Sequence, residues 1–460
     1  MRQDLRVFLK DLEEKYPGDV LRVKENLSIN HEAAAVVFEL DRQKKYPVVY
    51  FENIEGNPIP VVCNISASRQ RLAHAFGVKE SELASKYAEQ KKLFFDPVYK
   101  DNPPFLHKVY EGDNLDLNSL PIFRHTPVDA GLYVTGGMAV ALDPETGADT
   151  CGYHRMQLKG KNKMGISLHS RKRLWEYMRR SEAKNENLKT AIVFGIHPLI
   201  TLGTGAIVPY GQGKYSQIGG LMGEPLEVGT CPNSKIPIPY WSEIVVLGEI
   251  LANTHEKEGP FAEFTDFSSY RSTENVFIAH AVYMRENPMF QSIIGGMSSE
   301  HTTILGVPRE GDLLRFLREK LPMVQGVHVP YSSCGFFHCY ISMKKTAEGQ
   351  PLQAILQALA MDHNFKLVIV VDDDVDVNDE SRVLWAVATR VQADRDVVIL
   401  PQRISMGCTL DPSSDELSRS SKMGIDATQP LGDFSPRIPQ DDAARERMRE
   451  LLKKYGYFSG

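Results

Sequence analysis

The pattern of hydrophobic and polar positions divides the chain into three regions. Leu5, Phe8, Leu9 and Leu12 share one face of a helix that begins at the N-terminus, and Val48-Val49-Tyr50-Phe51 forms a short apolar strand before the turn residues Asn53 and Gly56. A Pro-rich stretch runs from Asp101-Asn102-Pro103-Pro104 to Pro127 and marks a crossing into a second unit. Beyond it, short β-like runs such as Met138–Leu142, 190–194 and 243–247 are separated by Gly, Pro and Asn, which predicts an antiparallel barrel or sandwich. From about residue 301 helix and strand alternate. Leu352, Ile355, Leu356 and Leu359 precede the apolar run 367–371, and a helix over 383–391 precedes a second buried run at 397–400. Continuous apolar strands alternating with helices predict a parallel sheet covered on both faces. A closing helix over 441–454, with Met448, Leu451 and Leu452 on one side, suits a domain or subunit contact.

The expected class is mixed α/β in three parts: an N-terminal α/β portion over 1–115, a β-rich central domain over 116–300, and a C-terminal α/β domain over 301–460.

Composition narrows the function. Among 460 residues, 42% are hydrophobic and 24% charged, the balance of a packed globular protein, and the net charge of -6 argues against a nucleic-acid partner. No run approaches the roughly 18 consecutive apolar residues of a membrane span. The first residues lack the apolar core of a signal peptide, and the six cysteines (Cys63, Cys151, Cys231, Cys334, Cys339, Cys408) are scattered. A cytoplasmic protein with reduced thiols and no membrane partner is expected.

Several motifs fail on inspection. Gly213-Lys214 hints at a phosphate loop, but Tyr215 stands where Ser or Thr is needed. Asp372, Asp374 and Asp376 begin like a calcium loop, yet Val377 replaces the required Gly. Gly296-Met297-Ser298-Ser299-Glu300 lacks the last Gly of a nucleophile elbow.

Two strings carry chemistry. In Glu258-Gly259-Pro260-Phe261-Ala262-Glu263 two carboxylates flank a turn that cannot be regular helix. Like charges held close push one pKa up, and a nearby arginine keeps the other ionised. A solvated loop with two surface acids is the alternative. The second string, 152–163, reads as a strand leading into a basic turn and contains Arg155.

Taken together, and with Gly219-Gly220-Leu221-Met222-Gly223-Glu224-Pro225, the 242–246 strand, 370–376, Leu410-Asp411-Pro412 and 422–428, these strings resemble the UbiD family over nearly the whole chain. The resemblance implies a central split β-barrel holding prenylated FMN and a carboxy-lyase acting on an aromatic, heteroaromatic or α,β-unsaturated acid. It is nearest in look to hydroxybenzoate-type decarboxylases. It further implies a homo-oligomer, dimer or hexamer, and a flavin prenyltransferase as cofactor supplier. A flavin-less accessory subunit of a carboxylase complex is the alternative.

Carried over position by position, the resemblance makes Arg155, Glu258 and Glu263 catalytic. Glu263 is then the proton donor, Arg155 the holder of the substrate carboxylate, and Glu258 the brace of Arg155. Cofactor contacts fall on Thr150, Cys151, Gly152, Tyr153, His154, Arg155, Arg171, Lys172, Glu243 and Lys422, with His338 near the pocket and Phe336, Phe337 and the 402–408 loop shaping it.

The family's phosphate-bridging divalent metal (manganese), with potassium nearby, is held by Asn, His and Glu. Here Glu243 matches the Glu, Thr150 stands at the Asn position, and Arg171 or Lys172 at the His position, with His169 as an alternative ligand. A cation there repels a metal and attracts phosphate, so direct contact of Arg171 or Lys172 with the flavin phosphate is expected.

Overall fold

The computed structural model describes residues 3–168, 172–209, 211–439 and 441–457. Arg171 and His169 therefore lie outside the described residues.

The N-terminal helix Leu5–Lys15 buries Leu5, Phe8, Leu9 and Leu12, the face expected from their spacing, and Asp4 caps it by accepting from the Arg6 N–H. Next to it, Val20–Leu27, Val48–Ile54 and Val61–Cys63 form a sheet whose fourth strand is Phe290–Gln291, a segment from far along the chain.

The centre is a nine-stranded sheet among the described residues, and the strands that pair there run antiparallel. Its long strands, Ile244–His255 and Asn275–Met284, lose register between Leu247 and Gly248. Such a bulge bends a strand and raises its twist, which curls the sheet into a half-barrel. Gly248 is required at the bend, since a Cβ there would lie 2.1 Å from the Ile278 carbonyl oxygen. Both faces are covered. Ile192 and Phe194 enter one apolar cluster, whereas Ala191 and Val193 enter the other. That is why Leu188–Phe194 ends in an unbroken apolar run rather than an alternating one. Lys108–Glu111 also pairs with Asn275–Met284, so segments on either side of 115 share two sheets.

The C-terminal sheet is ordered Val324–His328, His338–Met343, Leu367–Asp372, Lys422–Ala427, Val397–Leu400. Its three inner strands are parallel, as the alternation of helix and strand implies. The run at 397–400 departs from expectation. It is an antiparallel edge strand rather than a buried one, and Ile399 is 66% exposed. Only one side of an edge strand has a neighbour, and a four-residue apolar run cannot tell edge from centre. Two of the three aspartates of the rejected calcium loop find another use: Asp372 and Asp374 pair with Arg390 at 2.7 and 2.9 Å. The closing helix Asp442–Lys454 buries none of its residues within the chain and leaves Met448, Leu451 and Leu452 exposed. No helix among the described residues is long and apolar enough to cross a membrane.

Candidate active site

Arg155 sits in the short link between the strands Asp149–Tyr153 and Met156–Leu158, with its side chain 4% exposed. Pro260, between the two acids, is held from the opposite wall. The Ala130 N–H donates to its carbonyl at 2.9 Å, and the Tyr133 hydroxyl donates to it at 3.2 Å. Asp129 accepts from the Ala262 N–H at 2.9 Å and from the Thr126 N–H at 2.8 Å. The short strands Phe261–Ala262 and Ser268–Ser269 then turn Glu263 back toward Arg155.

The structure thus brings Arg155 to two acids that each lie more than a hundred positions further along the chain. Arg155 Nη2 donates to Glu258 Oε2 at 3.0 Å, and Nη1 donates to Glu263 Oε1. Nη2 also donates to the Arg271 carbonyl at 2.7 Å, and the guanidinium carbon stands 5.3 Å from the Phe261 ring centroid. Both acids are buried, so the reading of them as surface acids is wrong.

Their surroundings separate the two carboxylates. Burial pushes Glu263 up to about 7, the positive Arg155 works against that, and Glu258 adds to it. Glu263 is therefore an acid poised near neutrality. Nε of Arg155 and Oε1 of Glu258 are buried and have no hydrogen-bond partner among the described residues. Polar atoms left so inside a protein are costly, and a bound group that engages them relieves the cost.

The other expected contacts divide. Thr150 and Gly152 alternate with Cys151 and Tyr153 along one strand, so the two pairs face opposite sides of the sheet. The Cys151 side chain is core, its thiol pushed up to about 12 by burial, and only its carbonyl is offered to a neighbour. The Tyr153 hydroxyl pairs with the Thr201 hydroxyl at 3.0 Å. His154 Nδ1 lies 3.2 Å from the Ser167 carbonyl, and burial holds the ring down to about 4. The ring is neutral at pH 7, Nδ1 carries the proton, and Nε2 is left as an acceptor. Lys422 is buried, and its ammonium donates to the carbonyls of His363 and Phe365 at 2.5 and 2.8 Å. His338 opens the strand His338–Met343 and feels Glu380 and Lys366, neither of which belongs to the triad. Phe336 and Phe337 do reach the site, packing at 5.0 and 6.0 Å on Phe264, which follows Glu263.

Glu243 is a correction. Its carboxylate accepts from Arg6 at 2.7 and 2.6 Å, from Arg285 at 3.0 Å and from the Met289 N–H at 3.3 Å. Two guanidinium groups use both oxygens and leave nothing for a divalent ion. No group of three His, Cys, Asp or Glu side chains among the described residues could hold a metal. The donor set does not fit the metal that the resemblance implies.

Residues missed from sequence are Asp129, Tyr133, Gly165 and Lys214. Gly165 lies inside a strand, and a Cβ there would lie 3.2 Å from Glu258 Cγ; a glycine in a strand interior is the readable signal of such close approach. Gly213-Lys214, set aside as an incomplete phosphate loop, places a buried ammonium beside the Cys151 carbonyl at 3.1 Å.

Comparison with known proteins gives the family and the fold. Models of the 3-octaprenyl-4-hydroxybenzoate carboxy-lyase N-terminal, Rift-related and C-terminal domains match residues 9–91, 97–298 and 302–427. The anhydromevalonate phosphate decarboxylase of Aeropyrum pernix is 34% identical over 82% of this chain and 84% of its own. The phenolic acid decarboxylase of Escherichia coli O157:H7 is 30% identical over 98% of both. The structure of the UbiD-class enzyme HmfF from Pelotomaculum thermopropionicum in complex with FMN superposes with a TM-score of 0.90 at 32% identity, over 97% of this chain and 99% of that one. An evolved dimeric form of HmfF in complex with prFMN gives 0.85, also at 32% identity, over 95% and 97%. The chain belongs to the UbiD family of carboxy-lyases.

Proposed function

We propose that the chain catalyses the reversible, non-oxidative decarboxylation of an aromatic, heteroaromatic or α,β-unsaturated carboxylic acid with prenylated FMN as cofactor. The observation that carries this reading is the buried contact of Arg155 with both Glu258 and Glu263, one acid of which is held near pH 7. The relatives' names and the flavin bound to HmfF support it.

Loss of CO2 leaves an electron pair on carbon, and the chemistry that a bound prenylated flavin supplies is a sink for that pair. The protein's part is position and a proton. The fork of Arg155 holds the substrate carboxylate, for which its unpartnered Nε is available. Glu258 braces the guanidinium from the far side. Glu263, kept neutral by burial, delivers its proton to the carbon that CO2 leaves, and takes one back in the carboxylating direction. Phe261, Phe264, Phe336 and Phe337 give this region the apolar, aromatic walls that suit a planar acid.

Cofactor contacts are assigned to Thr150, Gly152, His154, Arg155 and Lys172. The exposed apolar face of Asp442–Lys454 suits a homo-oligomer, and a flavin prenyltransferase would supply the cofactor.

The test is co-expression with a flavin prenyltransferase, an absorbance spectrum of the purified chain, and a screen of aryl and acrylic acids for CO2 release. A modified-flavin spectrum with release from at least one acid is expected. A chain that takes up no flavin refutes the reading and favours the accessory-subunit alternative.

A further inference from the structure

Cations gather where a metal was expected. Lys214 begins the helix Lys214–Met222, and its side chain is buried. Its ammonium donates to the Cys151 carbonyl at 3.1 Å and to the Thr204 carbonyl, which uses two of its three N–H bonds. It forms no ion pair with a carboxylate among the described residues. The nearby Asp149 is engaged by the Tyr215 backbone N–H at 2.8 Å, where it caps the helix.

The side chain of Lys172, the residue before the helix Arg173–Ala183, has neither a hydrogen bond nor an ion pair among the described residues, and only its carbonyl is used, accepting from the Glu176 N–H at 3.1 Å. Solvent still reaches it, but the atoms crowding it push its ammonium down to about 8, and Arg309 and Lys214 push the same way. Arg309 itself is neutralised by Asp362 at 3.0 Å. Neither ammonium is paired with a carboxylate: Asp362, which draws Lys172 up, is engaged by Arg309, and Asp149 caps a helix, so a bound anion would relieve the repulsion between the two lysines. A phosphate monoester, carrying close to two negative charges, is such an anion.

The position suits the cofactor as well. Lys214 grips the carbonyl of Cys151, four residues before Arg155, and four residues of strand span about 13 Å. A phosphate at the lysines and a ring system at Arg155 can be two ends of one flavin.

We propose that the flavin phosphate is held without a divalent metal, by Lys172 and Lys214, with the Lys214 ammonium standing in for the metal ion. A protonated lysine offers no lone pair to a metal, and its charge supplies the attraction that the metal would otherwise provide. This rests on the flavin-dependent reading above and goes beyond it in naming the counter-charge.

The test uses the full chain, stripped with EDTA, and measures FMN and riboflavin binding by quenching of flavin fluorescence. Riboflavin has the same ring and no phosphate. The expected result is an FMN Kd unchanged by EDTA or by added manganese, with no stoichiometric divalent metal in the FMN-loaded protein. Lys214→Gln and, separately, the solvent-accessible Lys172→Gln should each weaken FMN on the order of tenfold or more, as loss of a charge-assisted contact does, and leave riboflavin unchanged. Stoichiometric manganese, FMN binding that EDTA abolishes, or equal weakening of FMN and riboflavin in both variants overturns the proposal while leaving flavin dependence standing. Failure of the unaltered chain to bind FMN under any of these conditions overturns both.

Discussion

Arg155 Nη2 meets Glu258 Oε2 at 3.0 Å in a setting where the Glu258 side chain has no exposed surface. Removing one partner of such a pair leaves an uncompensated buried charge, which costs about 3–5 kcal/mol. Glu258→Ala is expected to lower folding stability by about that amount in urea titrations. In the protein that remains folded, kcat/KM should fall on the order of a hundredfold, because a guanidinium held from one side only no longer positions a carboxylate. Unchanged stability together with unchanged turnover would remove Glu258 from the site.

Glu263 sets the pH dependence. Its carboxyl is pushed up to about 7 by burial, so it is protonated below that pH and ionised above it. As a proton donor it should give a decarboxylation rate that is level on the acid side and falls through pH 7, approaching tenfold per unit beyond. Glu263→Gln keeps the shape without a transferable proton and should abolish turnover with FMN still bound. A rate that rises through pH 7 would reverse the assignment.

Part of this was legible in the chain. The helix at Leu5–Lys15 and the strand Leu367–Asp372 follow from period and apolar run, because burial of one face or of both writes itself into neighbouring residues. Arg155, Glu258 and Glu263 had no such signal, and local reading favoured surface acids; a family likeness singled them out, and the fold places them in contact. Glu243 was misread because its partner Arg6 lies 237 positions away, and nothing near Glu243 betrays that pairing. Lys214 was set aside for a related reason. An ammonium gripping two backbone carbonyls leaves no trace in side-chain pattern.

Glu300 offers a second titration. It is buried, accepts from the backbone N–H groups of Asn64 and Ser66 at 2.7 Å each, and is pushed up to about 7 chiefly by burial. Its folded pKa lies above the 4.5 of a free carboxyl, so between about 4.5 and 7 the folded chain retains a proton that the unfolded chain releases. Stability therefore falls as pH rises through that window, by about 1.4 kcal/mol per pH unit for each such group. Glu300→Gln should flatten the slope by roughly one group's share. An unchanged slope, measured by urea unfolding at several pH values, would show that Glu300 does not titrate there.

Glu243 supplies the contrast between a structural acid and a metal ligand. Its oxygens are shared by Arg6 and Arg285, and it lies under Gly195, where φ is +72° and a Cβ would come 2.1 Å from its Cγ. Glu243→Gln removes the charge between two guanidinium groups and should destabilise the chain by about 3–5 kcal/mol. Acting through folding alone, it should leave the FMN Kd of the folded fraction unchanged, with and without EDTA. Gly195→Ala, which crowds the same carboxylate, should lower Tm in parallel and also spare FMN. If Glu243→Gln instead weakened FMN while stability held, the two arginines would not be what this acid is for, and a ligand at the phosphate would be.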